Sequence, residues 1–293
     1  MAEWEGKSRG TLLGYKIYIF FLRNCGISAS YFILRFVIFY YVLFSPRSNK
    51  DTYSYFRKRL QFSLWKSILN VYKSYYTFGQ TLTDKIAIST GLKEKFTYTH
   101  NGIEHIDNLL QKNQGGILIS GHIGNFEISH YFLEDRYSIS KISMVTTMAE
   151  HANIQEYMER ISMKSHLKFI VVQEDMSHIF EIHKAIDDGG LVVFTGDRYM
   201  PGGKVLNETF LGKEASFPAG PYVLASRLKM PVLFVYFMKG KKRKYDLYAT
   251  TAEFKARDAQ GLLKEYTNSM EGILKKYPLQ WFNYYDFWKD RAK

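Results

Sequence analysis

The stretch Gly115-Gly116-Ile117-Leu118-Ile119-Ser120-Gly121-His122-Ile123-Gly124-Asn125-Phe126-Glu127 decides the fold. Its apolar run, Ile117 to Ile119, predicts a short buried strand. Gly121 ends that strand, and from Ile123 the apolar residues recur at helical spacing through Ile128, Tyr131 and Phe132. A strand-to-helix turn presents its side chains at the C-terminal edge of a sheet, where α/β proteins hold ligands. This turn carries His122, with Glu127 five residues on. Two fully helical residues at that spacing lie about 500° of rotation apart and share no face. With His122 still in the turn, the carboxylate can fold back to orient one ring nitrogen while the other takes a proton. The plainer alternative is a half-exposed histidine beside an ordinary helix-start acid.

Downstream of the motif the pattern alternates. Strand-like runs are Lys141 to Thr146, Phe169 to Val172, Leu191 to Thr195 and Pro231 to Phe237; helical runs are Asn153 to Lys164, Ser177 to Ile186 and Gly220 to Leu228. Strand and helix in turn predict crossover units and a mostly parallel sheet flanked by helices, an α/β fold. Phe96 to His100 reads as a further strand and Ile106 to Gln111 as a short helix. Tyr245 to Thr251 reads as a late, antiparallel edge strand, and Leu262 to Tyr277 as a closing helix stopped by Pro278. The basic turn Lys239-Gly240-Lys241-Lys242-Arg243-Lys244 is either solvated or turned to lipid headgroups.

Upstream, Tyr15 to Leu22 and Ile27 to Phe44 are apolar and aromatic, the second run interrupted by Arg35. No small-residue cleavage site follows, which argues against a secretory leader. The second run is near the minimum of roughly 17–25 residues for a span, and a central arginine costs about 2.5–3.5 kcal/mol on insertion scales. A helical membrane-anchoring region over residues 1–50, interfacial or marginally spanning, is expected ahead of a single folded domain over 51–293. A buried helical hairpin is the other reading. Leu60, Leu64, Ile68, Leu69, Tyr72 and Tyr76 then predict an amphipathic helix with that stripe in the core.

The 293 residues carry a formal charge of +12 and 17% aromatics, so the expected partners are anionic, and the aromatic load favours a membrane surface. The single cysteine, Cys25, excludes an intrachain disulfide framework. The basic residues form no recognisable nucleic-acid module, neither phosphate-binding glycine fingerprint occurs, and no serine-nucleophile elbow is present. A second polar constellation follows the strand Leu191 to Thr195. There Asp197 can orient Arg198 or a backbone amide, and Arg198 can neutralise a phosphate; a surface ion pair is the competing reading. The loop Pro201-Gly202-Gly203-Lys204 and the step Phe210-Leu211-Gly212-Lys213 add two cations, Lys204 and Lys213.

From about Phe96 to Lys289 this order of features resembles the lysophospholipid acyltransferase superfamily, and in particular its bacterial lipid A biosynthesis acyltransferase branch. Gly121, His122, Gly124, Asn125 and Glu127 match its Gly-His-x-Gly-Asn-x-Glu motif, the HX4E pattern. Asp197-Arg198, Gly202-Gly203, Phe210-Leu211-Gly212, Gly220, Leu224-Ala225, Pro231-Val232 and Pro278-x-Gln280-Trp281 resemble its later blocks in the same order. Asp197 is followed by Arg198 where members often carry Gln or His, and Phe282-Asn283-Tyr284-Tyr285-Asp286 lacks the usual Trp, His and Arg. The resemblance implies a glycerolipid acyltransferase-like fold and transfer of a fatty acyl chain to a hydroxyl of a lipid A precursor or related glycolipid. The donor would be an acyl carrier protein or coenzyme A thioester, with no metal or other cofactor, at the cytoplasmic face of a bacterial inner membrane. It implies His122 as general base, oriented by Glu127. Oxyanion donors would come from the amides near Gly124 and Asn125, and Arg198, Lys204 and Lys213 would face acceptor phosphates or the carrier. Another acceptor, such as a lysophospholipid or an amino-acid lipid, and a non-catalytic membrane-surface protein are the alternatives.

Overall fold

The computed structural model describes residues 12–133, 137, 141–147, 152, 156, 168–173, 175–199 and 202–289. The helical run expected over Asn153 to Lys164 lies outside the described residues, apart from Glu156. Helix α1 (Leu12–Leu43) is broken at Gly26, whose φ of 79° is left-handed. Its apolar Tyr18–Leu43 segment has the length and composition to cross a membrane. Helix α2 (Pro46–Ser54) and a π turn lead into the long α3 (Leu64–Ala87).

The α/β body follows in the order β1 (Thr97–Asn101), α4 (Ile103–Gln111), β2 (Gly116–Ser120), α5 (Ser129–Leu133), β3 (Ile142–Thr146), β4 (Lys168–Val171), α6 (Ser177–Asp187) and β5 (Leu191–Thr195). A hairpin of β6 (Val205–Phe210) and β7 (Lys213–Pro218) intervenes before α7 (Ala219–Arg227), β8 (Val232–Lys239), β9 (Lys244–Thr251) and α8 (Ala259–Lys276). One seven-stranded sheet runs β1-β9-β8-β2-β5-β3-β4. All its pairings are parallel except β8 with β9. The expected antiparallel strand is therefore present, but β1 lies outside it and takes the edge.

Buried on both faces, β2 and β8 carry almost unbroken apolar runs, as central parallel strands do. Their alternation sorts the core into two layers. Ile117, Ile119, Val192 and Phe234 pack with Tyr222, Leu262 and Tyr266 on one face. Leu118, Leu191, Val193 and Leu233 pack with Ile106 and Leu109 on the other.

Two expectations fail, for physical reasons. Lys239 is not part of a solvated turn: it is the last residue of β8, buried, and its ammonium meets the buried carboxylate of Asp84 at 2.5 Å. Tyr245 donates to the same carboxylate at 2.6 Å, and Tyr31 of α1 donates to it as well. Burial pushes the Asp84 pKa up, against the pull of Lys239 and the two tyrosines. On α3, the residues expected in the core, Leu64, Ile68 and Leu69, are exposed, while Ser67, Asn70 and Ser74 face inward.

Candidate active site

The parallel register places the site. Ser120 of β2 lies opposite Thr195 of β5, so two residues past each strand end His122 and Asp197 emerge side by side at the C-terminal edge. Gly121 is needed there, because a Cβ would lie 2.7 Å from the Tyr266 hydroxyl and 3.1 Å from Asp197 Cγ. Beneath, the Tyr266 hydroxyl donates to the Ser120 carbonyl at 3.0 Å and the Tyr222 hydroxyl to the Gly196 carbonyl at 2.7 Å. Two strand ends are thus capped by phenols from α8 and α7.

Asp197 is fully buried and accepts three hydrogen bonds. The His122 ring lies 2.8 Å away through Nδ1, the His122 backbone N–H donates at 3.0 Å, and the Trp281 indole donates at 3.3 Å. Burial alone disfavours the charged carboxylate. The adjacent His122, the hydrogen bonds it makes and the nearby Arg198 outweigh that penalty and hold the pKa down at about 2. An ionised carboxylate only accepts, so Nδ1 carries the proton and Nε2 is the basic nitrogen of the neutral ring. The His122 side chain keeps about a fifth of its surface exposed, so the ring is reachable from solvent.

The carboxylate on the His122 ring is therefore Asp197, where Glu127 was expected. Glu127 forms an ion pair with Lys85 of α3 instead. The cause is local: Gly124 turns left-handed at φ +65° and a 3-10 turn opens at Phe126, which carries Glu127 towards α3.

The backbone around His122 is tied down on both sides. Gly124 N–H donates to the Gln280 carbonyl at 2.8 Å, and Phe282 N–H donates to the His122 carbonyl at 3.1 Å, an antiparallel bridge centred on Ile123 and Trp281. Asn125 N–H donates to the Phe237 carbonyl at 2.7 Å, and its side-chain amide donates to the Thr81 carbonyl at 3.0 Å. The amides of Gly124 and Asn125 are thus already engaged with carbonyls, and the expected oxyanion donors are not these two groups. A Cβ on Gly124 would sit 2.3 Å from the Phe237 carbonyl oxygen. Gly124→Ala is expected to lower stability by about 1–3 kcal/mol or more and to displace His122. Thermal unfolding together with turnover checks this, and a variant matching the parent in both would show that the turn relaxes freely.

The other expected residues scatter. Arg198 is half-buried beside Asp197; its guanidinium donates to the Phe282 carbonyl at 2.8 Å and lies 5.9 Å from the Tyr285 ring centroid. Lys204 and Lys213 are both exposed but sit at opposite ends of the β6–β7 hairpin. Lys213 pairs with Phe210 at the turn, whereas the Lys204 carbonyl accepts from Ala219 at the base. Six strand residues separate the ends, about 20 Å, so the two lysines do not bind one phosphate together. Gly202 and Gly203 lie in the loop just ahead of this hairpin, and the step Leu211-Gly212 makes its turn. The block Pro278-x-Gln280-Trp281 was legible as a family feature but not as part of the site. In the fold, the Gln280 side chain clamps both backbone groups of Lys239, at 2.8 and 2.7 Å, and Trp281 reaches Asp197.

A histidine hydrogen-bonded to a buried carboxylate, at the C-terminal edge of a mostly parallel sheet in an α/β protein, is an arrangement suited to general-base chemistry. The chain belongs to the bacterial lipid A biosynthesis acyltransferases, whose family model matches residues 70–290 and so takes in α3 from Asn70 onward, His122, Asp197 and Trp281. It is an acyltransferase. Comparison with curated proteins gives no matching relative.

Proposed function

We propose that this acyltransferase moves a fatty acyl chain from an acyl carrier protein or coenzyme A thioester to a hydroxyl of a lipid A precursor or related glycolipid. The work would be done at the cytoplasmic face of the inner membrane, by the domain over 51–293 held there by residues 1–50. The observation that carries the catalytic part is the His122–Asp197 hydrogen bond within a chain of this family.

In this reading Nε2 of His122 takes the proton of the acceptor hydroxyl as its oxygen attacks the thioester carbonyl. Asp197 holds the ring and stabilises the imidazolium. The tetrahedral intermediate collapses, the carbon–sulfur bond breaks, and the leaving thiolate receives the proton from Nε2. The products are an ester and a free thiol. The reaction calls on no metal or other cofactor. Arg198 supplies positive charge to the oxyanion or an acceptor phosphate. Lys204 and Lys213, too far apart to share one group, offer separate contacts to an acidic carrier or anionic headgroups. Glu127 acts on the site at one remove, tying its turn to α3 through Lys85.

The test is a lipid mass spectrum of membranes from cells lacking the protein, complemented with the parent or with His122→Ala. One lipid class should lose a single acyl chain in the deletion, regain it with the parent and stay deficient with His122→Ala. Full restoration by a folded His122→Ala protein would overturn the reading.

A further inference from the structure

The first half of α3 buries Val71 and Tyr75 but leaves the larger part of its apolar residues outward. Leu64, Trp65, Ile68 and Leu69 are 48%, 80%, 49% and 52% exposed, while Ser67, Asn70 and Ser74 are buried. The inward serines find backbone acceptors: Ser67 Oγ donates to the Ser63 carbonyl at 2.9 Å and Ser74 Oγ to the Leu279 carbonyl at 3.1 Å. A helix in water buries its apolar stripe. A helix that turns serines inward onto backbone carbonyls and keeps Leu64, Trp65, Ile68 and Leu69 outward suits an apolar solvent on its outer side.

Helix α1 lies antiparallel beside this face. The Tyr76 hydroxyl donates to the Tyr31 carbonyl at 3.0 Å, and the Tyr72 hydroxyl to the Arg35 carbonyl at 3.1 Å. Each step along α1 towards Leu43 is thus matched by a step along α3 towards Leu64. Leu34 and Ile38 of α1 face inward, while Phe32, Phe36, Phe39 and Leu43 are exposed. By helical spacing Ile68 and Leu69 lie one turn from Tyr72, which meets α1 at Arg35. The straight part of α1 after Gly26 is 17 residues, Ile27 to Leu43, or about 25 Å. That is marginal for crossing the roughly 30 Å hydrocarbon core alone.

We infer that the start of α3 and the second half of α1 form one two-helix surface that lies embedded in an anionic lipid leaflet. The occupant of the face is lipid, and charge argues for it. Asp51 is the sole acidic residue between Lys7 and Asp84, whereas Arg57, Lys58, Lys66 and Lys73 are exposed around the apolar face. The inference rests on the membrane-surface reading above and names the surface that makes the contact.

The experiment uses the full chain with Cys25→Ser and Trp65→Cys, the new thiol carrying an environment-sensitive fluorophore. Vesicles are phosphatidylethanolamine with phosphatidylglycerol, some bearing nitroxide-labelled acyl chains. The expected result is a blue-shifted emission, quenching by the acyl-chain nitroxide, and at least about tenfold protection from aqueous iodide on vesicle binding. Leu64→Ser/Leu69→Ser should lower vesicle partitioning by about tenfold or more. Vesicle-bound protein whose label stays open to iodide would overturn the α3 contact and leave membrane attachment through α1 standing. Protein that does not bind the vesicles at all would overturn the lipid assignment. A label shielded from iodide without vesicles, in protein sedimenting as a dimer, would instead assign the face to a second copy. Acyl transfer by the same preparations in detergent reports on the catalytic reading separately.

Discussion

Asp197→Asn is expected to lower the rate of acyl transfer by about a thousandfold or more, with donor and acceptor binding much less affected. The asparagine is nearly the same size, so the loss follows from protons rather than space. Asp197 accepts from the His122 amide, the His122 ring and the Trp281 indole. An amide has one accepting oxygen, and its nitrogen donates. With that oxygen kept by the His122 backbone N–H and Trp281, the amide nitrogen would face Nδ1 and hold it as an acceptor. The neutral ring would then carry its proton on Nε2, the nitrogen that has to receive one. Glu127→Gln removes the charge facing Lys85 but leaves the Asp197 hydrogen bond in place, and its loss should be much smaller. Steady-state kinetics on both variants decide between the carboxylates; Glu127→Gln as damaging as Asp197→Asn would return the orienting role to Glu127. The folded pKa of Asp197, about 2, lies below the unfolded value of about 3.9. Its stabilisation, on the order of 2 kcal/mol, is therefore fully present above about pH 4 and is lost as pH falls through about 2. Asp197→Asn should flatten that part of the acid-unfolding curve.

Lys239→Met should destabilise the protein by about 3–5 kcal/mol. Asp84 is fully enclosed, and its carboxylate has three partners: Lys239, Tyr245 and Tyr31. Taking away the ammonium strands a buried charge, which then takes up a proton or admits water, and either outcome weakens a junction of four elements. Tyr31 comes from α1, Asp84 from α3, Lys239 from β8 and Tyr245 from β9. The double variant Asp84→Asn/Lys239→Met should recover part of the loss, because no charge remains unpaired. Urea unfolding in detergent measures both. A single-variant cost below about 1 kcal/mol would mean that the pair contributes no more than a surface ion pair.

The central strands, the helices Ser177 to Ile186 and Gly220 to Leu228 and the strand end carrying His122 were legible because period and punctuation are local. The run Leu191 to Thr195 matches β5 residue for residue. What was not legible depends on contacts across the chain. Nothing near Glu127 announces that α3 would offer Lys85 to it, and nothing near Asp197 announces a histidine 75 residues earlier in the chain. Only the parallel register, Ser120 opposite Thr195, brings that pair together. Lys239 was misread because a lysine beside four further basic residues looks solvated, and its partner Asp84 is 155 residues away. The stripe Leu64, Ile68, Leu69 was recognised by its period, yet period names a face and not the solvent that face meets.

The three-donor carboxylate of Asp197 also bears on the order in which the enzyme is made. Its partners lie 75 residues before it and 84 residues after it. A chain emerging from the ribosome exposes α1 and α3 first, then the His122 turn, and only much later Gln280 and Trp281. Until that segment docks, the turn lacks its Gln280 and Phe282 bridge and Asp197 lacks its indole donor. On the proposed function, a nascent chain stays inert towards thioesters until Trp281 has been made and has docked on Asp197.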